Sequence, residues 1–265
     1  MPKPYYETEL GKLYHGDCLE IMPMLEPVDL VVTSPPYDNL RDYGGYVFDY
    51  KRVAENLYLQ LASGGVVVWV VGDATVNGSE TGTSFKQALY FKDIGFNIHD
   101  TMIYAKNQLA FPSKNRYHQA FEYMFIFSKG VLRTFNPIID RKNISHGRKG
   151  KVNSRLKNGK IKKGTVNVEI REYSERFNYW IIYNLKRGIE NQHPAVFPES
   201  LAHDHILSWS NEGDTVADIM CGSGTTAIAC ERLNRRWIGI EIEEKYCEIA
   251  AKRIEKENQQ LKLFV

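Results

Sequence analysis

Short runs of β-branched and apolar residues alternate with amphipathic stretches along most of this chain. Val28-Asp29-Leu30-Val31-Val32-Thr33 is such a run, and Ser34-Pro35-Pro36 stops it, which predicts a buried strand ended by prolines. A helical stretch over about residues 50–61 leads to a second apolar run, 65–71. Residues 85–92 read as helix, Gly95 breaks the chain, and 100–104 and 123–127 read as strands. Apolar periodicity then fades. It returns after Pro198 with a helix over 199–210, a strand over 215–220, a helix over 225–233, a strand over 237–241 and a closing helix over 244–260. Strands that alternate with helices predict an α/β fold with a doubly wound, mostly parallel sheet. No internal repeat is visible.

Hydrophobic residues make up 43% of the 265 positions and charged residues 25%, a balance that excludes a disordered chain. The longest apolar run, 65–71, falls far short of the ~20 residues of a membrane helix, and the N-terminus has no secretory signal. A cytoplasmic protein that does not enter the membrane is expected. Cys18, Cys221, Cys230 and Cys247 are widely spaced, so reduced thiols are expected rather than disulfides or a zinc site. His203 and His205 are read as polar residues at a helix start, and no metal is expected.

Net charge adds a feature that periodicity does not show. Residues 131–168 hold eleven Lys or Arg against one acid, a net of +10, so the rest of the chain carries −8. A basic block on an acidic body suits a polyanion-binding element, and a solvated loop carries such a run equally well.

Two motifs carry candidate chemistry. Asp218-Ile219-Met220-Cys221-Gly222-Ser223-Gly224-Thr225-Thr226 is a glycine turn between a strand and a helix, where backbone can approach a ligand closely. Glu241 ends the next strand, where a carboxylate can hold both hydroxyls of a ribose. The turn lacks a third spaced glycine, which disfavours a dinucleotide and hence an oxidoreductase, and it lacks the Gly-Lys-Ser/Thr of a P-loop. In Thr33-Ser34-Pro35-Pro36-Tyr37 the prolines fix the backbone so that the Ser34 hydroxyl and the Pro35 carbonyl can accept from one amino group. Tyr37 offers a flat face for stacking. Standing alone, this segment would read as a strand-ending turn.

Together, Ser-Pro-Pro-Tyr and Asp-x-x-x-Gly-Ser-Gly-Thr-Thr closely resemble the S-adenosylmethionine-dependent DNA amino-methyltransferases, which modify cytosine N4 or adenine N6. The catalytic motif precedes the cofactor motif, an order similar to the permuted beta class. The resemblance implies a Rossmann-like class I methyltransferase fold, with a catalytic half over 1–130, a target-recognition insert over 131–190 and a cofactor-binding half over 191–265. It implies a catalytic Ser34, Pro35, Pro36 and Tyr37. Cofactor contacts are implied for Asp17, Cys18, Asp218, Met220, Gly222, Gly224, Thr225 and Glu241, with His193 and Pro198 toward the methionine end. Tyr37, Phe111 and Tyr117 are implied to stack on a flipped base. Arg141, Lys142, Arg148, Lys149, Lys151, Arg155, Lys160, Lys162 and Lys163 of the insert are implied to contact double-stranded DNA, and a separate restriction endonuclease is a further candidate partner.

The sequence departs from the family at two points. Met220 stands where the family has Phe, so weaker stacking on adenine is expected. Ser34 replaces the Asp common among adenine enzymes, which tilts the expectation to cytosine N4 over adenine N6. Methylation of RNA or of a protein amide is a more distant alternative, since the basic insert favours nucleic acid and the permuted order favours DNA.

Overall fold

The computed structural model describes residues 2–36, 48–106, 115–151, 153–164, 167–182 and 198–261. The chain divides into two compact units, Met1–Asn136 with Asn178–Val265, and Pro137–Phe177.

The first unit is built on a nine-stranded sheet. Its strands in chain order are β1 (Tyr6–Glu7), β2 (Gly11–His15), β3 (Val28–Thr33), β4 (Leu61–Val71), β5 (Asn97–Lys106), β6 (Phe121–Ser128), β7 (Tyr179–Ile182), β8 (Thr215–Asp218) and β9 (Arg236–Glu241). They lie in the order β1-β2-β9-β8-β3-β4-β6-β5-β7. The pairings of β2 with β9, β9 with β8, β8 with β3, β3 with β4 and β5 with β7 are parallel. Because β6 is antiparallel to both its neighbours, β5 regains the direction of β4, and only β1 and β6 run against the rest.

Alternate side chains of the central strands feed two cores, one on each face. Leu30, Val32, Val66, Val68 and Val70 pack with helices α4 (Glu199–Trp209), α5 (Thr225–Leu233) and α6 (Glu244–Leu261). Val31, Val67, Trp69 and Val71 pack with α1 (Cys18–Ile21), α2 (Tyr50–Gln60) and α3 (Thr83–Asp93). A continuous apolar run, buried on both faces, is what a central parallel strand requires. Strand β8 continues through α5 to one side and β3 through α2 to the other. The sheet therefore reverses its winding between β8 and β3, and their carboxyl ends flank the crevice where such sheets bind ligands.

The predicted elements recur with shifted ends. The strand predicted over 215–220 stops at Asp218, where the glycine turn begins. His205 is not a polar residue at a helix start: it is fully buried in α4, with Nε2 at 3.1 Å from Met124 Sδ and its ring tilted against Trp180.

The second unit, Pro137–Phe177, is narrower than the 131–190 insert that the resemblance implies. Its strands pair antiparallel in three successive sets: Ile139–Lys142 with Tyr173–Glu175, Lys149–Lys151 with Asn167–Glu169, and Ser154–Arg155 with Ile161–Lys162. The nested registers make one two-stranded ribbon, capped at Asn158-Gly159, where Gly159 takes φ +81° and Asn158 Oδ1 accepts from the Lys160 N–H. None of its described residues is buried. The flanks excluded from it belong to the first unit: Thr134 is buried there, and β7 extends the sheet with Trp180 in its core.

Candidate active site

The carboxyl ends of β2, β9, β8 and β3 bring the two motifs side by side. Asp218 closes β8 and is buried. Its Oδ1 accepts from Thr33 Oγ1 at 2.8 Å and from the Met220 N–H at 3.3 Å, and its Oδ2 accepts from Thr226 Oγ1 at 2.6 Å. One carboxylate thus ties the last residue of β3, immediately before Ser34-Pro35, to the start of α5. Burial pushes its pKa up to about 6 even though the three donors pull it down. Asp218 faces these protein groups, so its place is inside the turn.

The turn itself depends on two left-handed glycines, Gly222 at φ +50° and Gly224 at φ +79°, a region closed to most side chains. A Cβ on Gly224 would lie 3.0 Å from Ala250 Cβ, because α6 packs directly on the turn. Gly224 precedes α5, whose first residue is Thr225, and as a glycine it offers no side chain to cap the first-turn N–H groups, which have no partner within a helix.

Glu241 ends β9 beside this turn. Its Oε2 accepts from the Gly222 N–H at 2.8 Å and its Oε1 from the Glu243 N–H at 3.0 Å. Burial raises its pKa, and the two backbone donors oppose that shift. Each carboxylate oxygen can accept twice, so a lone pair on each remains for a ribose diol. This donor set fits an adenosyl cofactor: an oriented carboxylate, a glycine turn and a helix N-terminus. The end of β2 joins it through the Gly16 N–H, which donates to the Glu241 carbonyl oxygen at 2.9 Å. Asp17 caps α1 by accepting from the Leu19 N–H at 2.8 Å.

The other expected site residues fall in varied surroundings. The Cys18 side chain lies in the apolar core with Ile21, Ile219 and Ile240, and burial pushes its thiol up to about 12. Met220 is half-buried against that core, and Pro198 is half-buried directly before α4. Tyr117 is 98% exposed, while its neighbour Arg116 donates to Thr75 Oγ1 (3.1 Å) and the Gly78 carbonyl oxygen (2.6 Å). Tyr37, Phe111 and His193 lie outside the described residues, and Pro35 and Pro36 are described at the end of β3. On the ribbon, Arg141 is occupied internally: it donates to the Glu175 carbonyl oxygen at 3.0 Å and lies over the Phe177 ring. Lys142, Arg148, Lys149, Lys151, Arg155, Lys160, Lys162 and Lys163 are exposed, with Lys149 3.4 Å from Glu169.

Thr33 and Thr226 lie within the two motifs but have no role assigned from the sequence, and Arg253 carried no signal there at all. The ribbon did carry one, because Asn-Gly is a strong hairpin signal. Among the described residues no cluster of His, Cys, Asp and Glu could hold a metal, and no helix is long and apolar enough to cross a membrane.

Comparison with known proteins places this geometry. Among solved structures, the PvuII DNA methyltransferase, named as cytosine-N4-specific, superposes with a TM-score of 0.69 at 23% identity, covering 97% of this chain and 93% of that one. A putative DNA modification methylase from Thermus thermophilus, complexed with S-adenosyl-L-methionine, superposes at 0.62 with 24% identity, covering 92% and 95%. The fold is that of the class I methyltransferases. The orphan methyltransferase M.BamHII of Bacillus amyloliquefaciens is 52% identical over 247 residues, 90% of this chain and 90% of its own length. A family model described as DNA methylase matches residues 28–252, and the chain belongs to that family, the S-adenosylmethionine-dependent DNA methyltransferases of the cytosine-N4 and adenine-N6 type.

Proposed function

We propose that this enzyme methylates cytosine N4, in preference to adenine N6, within a specific sequence of double-stranded DNA. The preference for cytosine rests on Ser34 standing where adenine enzymes commonly have Asp, and methyl transfer to an amine is supported by the Thr33–Asp218 bond, which holds Ser34 and Pro35 beside the glycine turn. When bound, S-adenosylmethionine supplies an electrophilic methyl group. Glu241 holds the ribose hydroxyls, Asp17 and Met220 border the adenine, and the backbone from Gly222 to Thr225 forms the floor. His193 and Pro198 contact the methionine end.

The exocyclic nitrogen is a poor nucleophile because its lone pair is delocalised into the ring. Ser34 Oγ and the Pro35 carbonyl accept hydrogen bonds from its N–H groups, localise that lone pair and aim it at the methyl group. The target base leaves the duplex at a cost of about a few kcal/mol, offset by stacking on Tyr37 with Phe111 or Tyr117 opposite. A thiol nucleophile has no part in this chemistry, and the four cysteines are buried.

The ribbon is the DNA arm. Residues 148–163 hold eight Lys or Arg and no acid. A two-stranded ribbon fits a major groove about 12 Å wide, with flanking cations on phosphates. Methylation of this kind shields a site from cleavage, so a separate restriction endonuclease reading the same sequence is the partner to seek.

Sequencing that distinguishes N4-methylcytosine from N6-methyladenine, applied to DNA from a host expressing the enzyme, tests the reading. A single motif with modified cytosine, lost in Ser34→Ala, is expected. Adenine modification at the motif would overturn the base assignment, and full activity in Ser34→Ala would remove the side-chain acceptor.

A further inference from the structure

The last helix lies outside both motifs, yet one of its side chains grips the glycine turn. Arg253 of α6 donates from Nη1 to the Ser223 carbonyl oxygen at 2.6 Å, to Ser223 Oγ at 2.8 Å and, more weakly, to Thr225 Oγ1 at 3.5 Å. Its Nη2 donates to Glu199 Oε1 at 2.9 Å. Glu199 opens α4 immediately after Pro198, so the planar fork of one guanidinium joins the turn to the chain leading from the methionine-end segment. The Arg253 side chain is 14% exposed, which leaves little water to compete for these bonds.

Ser223 sits between Gly222 and Gly224, the two residues of the turn with the fewest backbone restraints. Peptides flanking glycines reorient easily unless something holds them. Glu241 holds one side of the turn through the Gly222 N–H, and Arg253 holds the other through the Ser223 carbonyl.

We propose that Arg253 is a positioning residue for the cofactor, fixing the Ser223 peptide so that the turn meets S-adenosylmethionine already in its bound shape. This rests on the reading that the turn and Glu241 form the cofactor site. The competing account is that Arg253 only stabilises an ion network, because Arg232 also donates to Glu199 (3.0 Å) and to Glu257 (2.7 Å). Arg232 supplies the control: it shares the network, and its bonds run to Glu199 and Glu257 rather than to the turn.

The test uses the full-length protein and compares Arg253→Met, Arg253→Lys, Arg232→Met and Glu241→Ala by cofactor calorimetry, steady-state kinetics and melting temperature. Arg253→Met is expected to weaken S-adenosylmethionine binding by about tenfold or more, the scale of losing charged hydrogen bonds. KM for the cofactor should rise in parallel while kcat at saturation stays within about twofold, because the reacting atoms are untouched. Arg253→Lys should recover part of the affinity, and it carries the test alone where the Met variant does not fold. Arg232→Met should lower the melting temperature and leave affinity within about twofold. Equal affinity losses in Arg253→Met and Arg232→Met would overturn the positioning role. So would normal binding in both Arg253 variants while Glu241→Ala binds weakly. Normal binding in Glu241→Ala would instead show that the cofactor site itself lies elsewhere.

Discussion

Asp218 shows how much one buried carboxylate can organise. It links the two chemical motifs, and its interior position raises its pKa to about 6 against 3.8 for an ordinary Asp. The folded protein therefore holds this proton more tightly than the unfolded chain does. The stability gained from that proton is fully present below about pH 3.8 and is lost as pH rises through about 6, by on the order of 2–3 kcal/mol at neutrality. Asp218→Asn keeps the size and an acceptor for the Met220 N–H without the charge. The stability difference between the two proteins, followed by denaturant unfolding across this window, should shift toward the variant as pH rises. A difference independent of pH would show that Asp218 does not titrate there. Thr33→Val removes one donor to the same carboxylate and should cost about 1–3 kcal/mol, with lower turnover from a displaced Ser34. The presence of Asp, Thr and Ser at these positions is plain in the sequence; that Thr33 and Asp218, 185 residues apart, bond to each other is not.

At the scale of elements, α6 and the glycine turn constrain each other. Gly224→Ala puts a side chain at φ +79° and within 3.0 Å of Ala250 Cβ, so it should destabilise the protein by about 1–3 kcal/mol and weaken cofactor binding. Melting and calorimetry on the same sample check both, and an unchanged protein would mean that α6 can back away. Elements with long apolar runs or clear helical periodicity, such as β4, α3 and α5, are legible because local pattern encodes them. Strands β2 and β7 are not. Gly11–His15 is short and interrupted by exposed Lys12, and Tyr179–Ile182, four residues long, falls inside the 131–190 stretch that the resemblance implies as insert. The ribbon strands bury none of their described residues, so no apolar alternation marks them.

On the scale of the whole molecule, the Pro137–Phe177 unit concentrates positive charge, with twelve Lys or Arg against four acids, on a chain whose net charge is only +2. Replacing Lys160, Lys162 and Lys163 together by Gln should reduce the slope of log affinity against log salt on duplex DNA by about 0.9 for each phosphate no longer neutralised. Binding to every duplex should weaken alike, with melting unchanged because these side chains are exposed. Titrations at several salt concentrations measure it, and an unchanged slope would move the DNA-binding surface elsewhere. The sequence by itself determined the order of elements from β3 to β6 and from α4 to α6, the glycine turn, the Ser-Pro-Pro stop and the basic block, because periodicity, backbone restriction and charge are local properties. Only the tertiary structure decided that β3 and β8 are neighbours, that Asp218 faces inward to Thr33 and Thr226 while Glu241 borders the turn, and that Arg253 reaches back to Ser223. The Thr33–Asp218 and Arg253–Ser223 bonds join residues 185 and 30 positions apart, brought together by the burial of both faces of one sheet, a condition that no local window of sequence contains.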